Sequence, residues 1–301
     1  MTDFAGIASP IPPDARCIDL HTHTTASDGD HSPTQLIERA HSIGLKAIAV
    51  TDHDTTDGVL EAQLAGNRLG IDVIAGIELS AEPPRQGQCH LLGLFIDPEN
   101  PALLSRLKEV VTNRNLRNSR IIEKMQRELG WEIELAEVEA EAGGDIVARP
   151  HFAKVLLKKG LVPDFQTAFD VYLGTGGKAY VGRDRLSPEE AIDLIHGAGG
   201  VAILAHPNNF KFDDPAETEA EIRGLQALGL DGFEARYNLH TPQDTARYLA
   251  LAEKLGMLTS GGSDFHGETV KKKVFLGHVE GDAPAPYLLI EALRSHLPNR
   301  R

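Results

Sequence analysis

"SPEEAIDLIHGAGGVAILAH", residues 187 to 206, reads as a helix that stops and a strand that starts. Ser187 is an N-cap and Pro188 fits the first helical position, where its missing N–H costs nothing. The glycines at 197, 199 and 200 end the helix, and the apolar run "VAILA" leads straight to His206. The same grammar recurs between "CIDL" (17–20) and "AIAVT" (47–51), with Ser32 as cap, Pro33 behind it and Gly44 past the helix end. Gly70 and Gly256 close later helices in the same way. With "VIAGIEL" (73–79), "CHLLGLFI" (89–96), "GFEAR" (232–236) and "MLTSGG" (257–262), seven strand candidates alternate with helical patterns. Such alternation predicts an α/β fold of parallel strands with helices outside, either a barrel or a doubly wound sheet.

The alternation breaks between residues 97 and 186. From Pro101 to Gly130 no strand run occurs, and "IVARPHFAKVLLKKG" and "DFQTAFDVYLG" continue in helical fashion. Residues 99–180 are therefore expected to be a mainly helical insertion, with 1–98 and 181–301 forming the strand-bearing domain. Net charge is −14, which argues against broad affinity for nucleic acid. The charge is uneven: residues 99–185 hold 14 Lys/Arg against 13 Asp/Glu, and the remainder 16 against 31, so the near-neutral insertion is the part able to face an anion. Cys17 and Cys89 are too few for a disulfide framework. The N-terminal "MTDFAGIASPIPPDA" has neither a basic region nor an apolar run, and no stretch of about 18 apolar residues occurs, so a cytoplasmic protein with no membrane partner is expected.

Polar residues gather just past the strand candidates. His21 and His23 follow "CIDL", Asp52 and His53 follow "AIAVT", His206 follows "VAILA", and Asp264 and His266 follow "MLTSGG", while Glu78 lies in "GIELSA" and His90 in "CHLLGLF". Parallel α/β folds bind ligands at the carboxyl ends of their strands, so these residues are expected to converge on one mouth. His21 and His23, two apart on extended chain, point the same way, as two ligands of one ion must. A single strand-end histidine is an ordinary structural residue; six of thirteen at one kind of place demand a shared reason. Asp30, Asp52, Asp54 and Asp57 read as loop caps or as partners that orient imidazoles.

The stretches "DLHTHTTASDG", "AVTDHDT", "GIELSA", "CHLLGL", "AILAHP" and "GGSDFHG" resemble, in order, the successive motifs of the polymerase and histidinol phosphatase (PHP) family of metallophosphoesterases. The resemblance implies a distorted seven-stranded β/α barrel of TIM type, with three metal ions. It places His21, His23, Glu78 and Asp264 on the first ion; Glu78, His90 and His206 on the second; and Asp28, His53 and His266 on the third. His21, His23, Glu78 and Asp264 would be the catalytic core. Some relatives carry cysteine where this chain has His206. Imidazole and carboxylate without thiolate suit manganese, with iron(II) or zinc as alternatives.

For the substrate, "VARPHFAK" supplies Arg149 and His151, and "GGKAYVGRDR" supplies Lys178, Arg183 and Arg185. These are similar to the subfamily acting on nucleoside 3',5'-bisphosphates and, in related members, on the 5' ends of short RNA. The resemblance implies that Arg149, His151 and Lys178 contact substrate phosphates. It makes the protein a phosphomonoesterase that releases the 3'-phosphate of a nucleoside 3',5'-bisphosphate. A 5'-to-3' exoribonuclease, a histidinol phosphate phosphatase and a non-catalytic PHP module are the rival readings. Arg114, Arg117, Arg120, Lys124 and Arg127, at three- and four-residue steps, are expected to form one basic helical stripe. Aromatic residues make up only 5%, too few for a long stacking platform, so one or a few nucleotides fit better than an extended strand.

Overall fold

The computed structural model describes residues 17–83, 85–142, 147, 149–174, 176–182, 185–279 and 284–297. In chain order these form β1 (Cys17–Asp19), α1 (Pro33–Ser42), β2 (Ala47–Val50), α2 (Val59–Leu69), β3 (Asp72–Ala81) and β4 (Cys89–Leu94). Next come α3 (Pro101–Leu129), α4 (Leu135–Ala142), α5 (Arg149–Lys158) and the one-turn α6 (Phe165–Thr167), which runs into a π-helical turn over Ala168–Leu173. Then follow α7 (Pro188–Gly197), β5 (Val201–Leu204), α8 (Pro215–Ala227), β6 (Gly232–Tyr237), α9 (Pro242–Leu255), β7 (Leu258–Gly262), β8 (Ala285–Pro286) and α10 (Leu288–His296).

The helix punctuation is as read from the sequence. Ser32 and Gln35 form a reciprocal capping box on α1, Ser187 accepts from the Glu190 amide at the start of α7, and Gly70 and Gly256 stand in the left-handed conformation past α2 and α9. All seven expected strands form, and the two-residue β8 joins them in one sheet of order β7-β6-β5-β4-β3-β2-β1-β8. The sheet nearly closes on itself: Leu20 N donates to Gly261 O at 3.1 Å, and Thr22 bridges Phe265 in parallel sense. Gly262 allows this closure, because a Cβ there would stand 2.3 Å from the Cβ of His21.

One expectation needs correction. The strands are not all parallel, since β4 runs antiparallel to both β3 and β5. The link between β3 and β4, residues 82–88, is too short for a crossover and can only turn back as a hairpin. The reversal has a consequence for the site: β4 begins where its neighbours end, so His90, the second residue of β4, comes level with Ser80 near the end of β3.

Contacts divide the chain into two compact units, one reaching to Ser105 and resuming at Leu186, the other spanning Arg106–Arg185. In the first, Ile18, Leu20, Ala47, Leu92, Leu94, Val201 and Ile203 share a core with Leu289, Ile290 and Leu293 of α10. The second has its own core, built on Ile121, Met125, Ile133, Phe152, Leu156 and Leu173. Among the described residues no helix is long and apolar enough to cross a membrane.

Candidate metal centre

Glu78 lies at the middle of the arrangement. Its backbone is held on both sides: its N–H donates to Asp52 O, its carbonyl accepts from Asp54 N, and across the hairpin it pairs with Leu92. Its side chain is fully buried and ringed by imidazoles. His21 Nε2, His23 Nε2 and His53 Nδ1 stand 3.3, 3.2 and 3.0 Å from Oε2, and His90 Nδ1 and His206 Nε2 stand 2.9 and 3.1 Å from Oε1. Five histidines from the ends of β1, β2 and β5 and the start of β4 thus meet one carboxylate.

Asp264, just past β7, completes one group. Its Oδ1 is 3.6 Å from His21 Nε2 and 3.3 Å from His23 Nε2. The potential ligand atoms of His21, His23, Glu78 and Asp264 all lie within 4.8 Å of one another, as do those of His53, Glu78 and His90 and those of His23, Asp28, His53 and His266. Asp28 reaches in from a turn over 25–28, where its Oδ1 is 3.3 Å from His266 Nε2. Asp52 holds that turn by accepting from Thr24 N and Thr24 Oγ1, each at 2.8 Å, and from Ser27 Oγ at 2.6 Å. All nine residues expected to ligate metal come together. The geometry shares His23 and His53 between neighbouring groups, and His206 touches the site through Glu78.

The donor set fits cations. Among the described residues, His21 Nε2, both ring nitrogens of His23, His53 Nδ1 and Glu78 Oε2 are buried without a hydrogen-bond partner; His21 Nε2, His23 Nε2 and His53 Nδ1 face Glu78 Oε2, and His23 Nδ1 faces Asp28. Burying polar atoms this way is costly unless an ion satisfies them. The charges respond accordingly. Burial pushes Glu78 toward protonation, but His53, His21, His90 and the bond from His206 prevail and hold it well below the usual carboxylate range. Against the same desolvation, Asp264 and Glu78 lift His23 to about 9. His53 goes the other way, to about 3, because burial outweighs the pull of Glu78. Two site residues also carry left-handed backbone, His206 with φ 31° and Asp264 with φ 57°, a local strain that clusters at functional sites.

Several participants were not singled out from the sequence. Glu234 in β6 accepts from His21 Nδ1 at 3.0 Å and from His206 N at 2.6 Å. The Tyr237 hydroxyl donates to Asp264 Oδ2 at 3.0 Å, and Lys271 Nζ donates to the same oxygen at 2.7 Å. Asn209 Nδ2 donates to His206 Nδ1 at 3.0 Å. Of the expected orienting acids, Asp54 accepts from Ser80 N and Asp30 accepts from Thr269, so they fasten loops. Asp57 bonds Thr55 Oγ1 through its own backbone N–H and likewise fastens a loop. Asp30, His31 and Glu268 make a further group with ligand-like spacing, in which Arg39 is paired with Glu268.

Arg149, His151 and Lys178 belong to the second unit. Arg149 Nη1 donates to Leu173 O at 3.1 Å and its guanidinium lies 5.7 Å from the Tyr180 ring centre; Lys178 is exposed, with Nζ 5.8 Å from the Tyr172 ring centre. Both cations therefore border the segment after the π turn. His151 sits on the first turn of α5, with its pKa lowered mainly by burial. Arg183 lies outside the described residues. The basic stripe is interrupted: Arg117 is buried and donates to Asn118, while Arg120, Lys124 and Arg127 line a groove of about 670 Å³ with Glu123, Glu128 and Tyr180. The side chain of Arg114 is outside the description.

Known proteins resemble the chain over most of its length. The chain is 36% identical over 279 residues to a 3',5'-nucleoside bisphosphate phosphatase of Chromobacterium violaceum, covering 89% of this chain and 93% of that one. It is 35% identical over 248 residues to a 5'-3' exoribonuclease of Haemophilus influenzae, covering 82% and 89%. A solved structure from Bifidobacterium adolescentis, described as a metal-dependent phosphoesterase, superposes with a TM-score of 0.73 at 29% identity, covering 94% of this chain and 97% of that one. A Chromobacterium violaceum structure described as an amidohydrolase, with bound sulfate, gives 0.73 at 32% identity, covering 94% and 96%. The PHP domain model matches residues 19–173, the stretch that supplies Glu78 and four of the five imidazoles around it, and the chain belongs to the PHP domain family.

Proposed function

We propose that the protein is a cytoplasmic, manganese-dependent phosphomonoesterase that converts nucleoside 3',5'-bisphosphates to nucleoside 5'-monophosphates and phosphate. The observation that carries the hydrolytic reading is Glu78, a buried carboxylate with an imidazole nitrogen within 3.3 Å on five sides. His21, His23, Glu78 and Asp264 would hold one ion, Glu78, His90 and His206 a second, and Asp28, His53 and His266 a third. Nitrogen and carboxylate donors without thiolate favour manganese, with iron(II) or zinc next. Bound divalent ions supply a water activated at neutral pH and positive charge for the phosphoryl oxygens.

The chain's own residues do the rest. Glu78 stays ionised through its surrounding imidazoles, so it can accept charge without first losing a proton. Lys271, about one third exposed, places an ammonium on the outer oxygen of Asp264, where it adds positive field beside an incoming anion. Arg149, His151 and Lys178 are assigned to substrate phosphates; a guanidinium can grip such a group with two parallel bonds. The choice of a nucleotide with two phosphates draws support from the Chromobacterium relative, and that of a cytoplasmic setting from a sequence with only two cysteines.

The Haemophilus relative favours a second reading, stepwise hydrolysis of short RNA from a 5'-phosphorylated end. One experiment separates the two. Purified protein with Mn²⁺ is offered adenosine 3',5'-bisphosphate, histidinol phosphate and a labelled 5'-phosphorylated oligoribonucleotide. Fastest phosphate release from the bisphosphate supports the first reading, a mononucleotide ladder supports the second, and preference for histidinol phosphate overturns both.

A further inference from the structure

Glu234 is a fully buried carboxylate that the proposed ligand set leaves unused, and burying such a group is expensive unless its oxygens are committed. Both are. Oε1 accepts from His21 Nδ1, and Oε2 accepts from the backbone N–H of His206, the residue held at φ 31°. A carboxylate can only accept, so when His21 is neutral, as a ligand must be, its ring proton is held at Nδ1 and its lone pair lies at Nε2. Nε2 is the buried, unpartnered atom that faces Glu78 and Asp264. Tyr237 treats Asp264 in the same manner: its hydroxyl engages Oδ2 and leaves Oδ1 toward His21 and His23.

Glu234 and Tyr237 are three apart in β6, and in a regular strand residues three apart face opposite sides. Here the pairing with β7 slips: Glu234 is opposite Ser260 and Arg236 opposite Gly261, so Ala235 is an extra residue. A bulge of this kind re-aims the side chains around it. It brings Glu234 and Tyr237 to one face, where each takes the outer atom of a different residue in the His21, His23, Glu78, Asp264 group.

We propose that β6 is a positioning strand, in which Glu234 and Tyr237, brought to one face by the bulge at Ala235, aim His21 and Asp264 at a common cation. The proposal rests on the metal reading above. A carboxylate behind a ligating imidazole fixes its tautomer and orientation, and losing such a partner weakens metal binding by about 10–100-fold.

The test uses the full chain, titrated with Mn²⁺ by calorimetry, together with ¹⁵N-imidazole spectra of the Zn²⁺-loaded protein. Glu234→Gln preserves shape but cannot accept from both partners at once. It is expected to bind Mn²⁺ about 10–100-fold more weakly while the metal-free protein still folds, and to lose the single Nδ1–H signature of His21. Tyr237→Phe removes one hydroxyl and is expected to cost about tenfold in affinity, with Lys271 still on Asp264. Wild-type affinity and an unchanged His21 spectrum in both variants overturn the proposal. If Glu234→Gln does not fold, Tyr237→Phe decides: weaker Mn²⁺ binding supports positioning by β6, and unaltered binding overturns it. Wild-type protein that takes up no Mn²⁺, Fe²⁺ or Zn²⁺ refutes the metal reading and this proposal with it. Tight wild-type binding combined with indifferent variants refutes the positioning role alone.

Discussion

His23 and His53 both touch Glu78, yet their proton affinities are driven apart. Asp264 and Glu78 together overcome burial at His23 and raise it to about 9, whereas at His53 burial prevails and the value falls to about 3. The two rings load stability onto opposite sides of the unperturbed value of 6.5. His23 contributes fully below that value and loses its contribution as pH climbs through about 9. His53 binds a proton more readily once unfolded, so its neutral form stabilises the fold above 6.5, and this is lost as pH falls toward about 3. Metal-free protein is therefore expected to show maximal Tm near pH 6.5, measured by calorimetry after chelation; a Tm still rising at pH 9 would contradict the charge assignment. Cation uptake at pH 7 must expel the proton of His23, so calorimetry in buffers of different ionisation enthalpy should register proton release. Replacing His206 with Ala removes one imidazole from Oε1 of Glu78, and turnover should fall by orders of magnitude while the circular dichroism spectrum is kept. Most of these positions were legible because they sit beside strand ends in short polar motifs, whereas Asp28, in the turn over 25–28, was given a metal role only by the family resemblance. Glu234 was not, since a glutamate inside "GFEAR" carries no sign that a bulge will turn it toward His21.

At the level of elements, caps and glycines announced the helices, whereas strand direction had to be inferred and was partly misjudged. The hairpin of β3 and β4 looks in sequence like any two apolar runs, and only the shortness of the 82–88 link forbids a parallel return. β8 is two residues long, one of them proline, and offers no periodicity to read. The closure between β1 and β7 depends on a missing side chain. A Cβ on Gly262 would meet the Cβ of His21 at 2.3 Å and its backbone N at 2.6 Å, so one of two backbones must move. A Cβ on Gly261 would meet its nearest neighbour, the Cβ of Arg236, at 3.1 Å. Gly262→Ala is thus expected to cost about 1–3 kcal/mol in urea denaturation and to weaken Mn²⁺ binding by displacing His21, with Gly261→Ala much milder on both counts. Equal effects from the two substitutions would mean that closure at His21 is not what Gly262 protects.

On the scale of the whole chain, chemistry and charge are partitioned. Among the described residues, every group with ligand-like spacing lies in the unit outside Arg106–Arg185, which also carries most of the excess acid, and the nearly neutral unit Arg106–Arg185 holds Arg149, His151 and Lys178. A cation that binds only folded protein stabilises it by about 2.7 kcal/mol when present at 100 times its dissociation constant. That gain should be confined to amides whose opening breaks the site. Hydrogen exchange with and without Mn²⁺ is expected to slow around 19–31, 51–54, 76–81, 89–91, 204–209 and 262–267. The core amides of the unit Arg106–Arg185 around Ile121, Met125, Phe152 and Leu156 should be unaffected, because their packing contains none of the nine residues. Protection appearing in that core on metal addition alone would show that its stability is tied to the ions directly, and would move Arg149, His151 and Lys178 from substrate recognition to support of the metal centre.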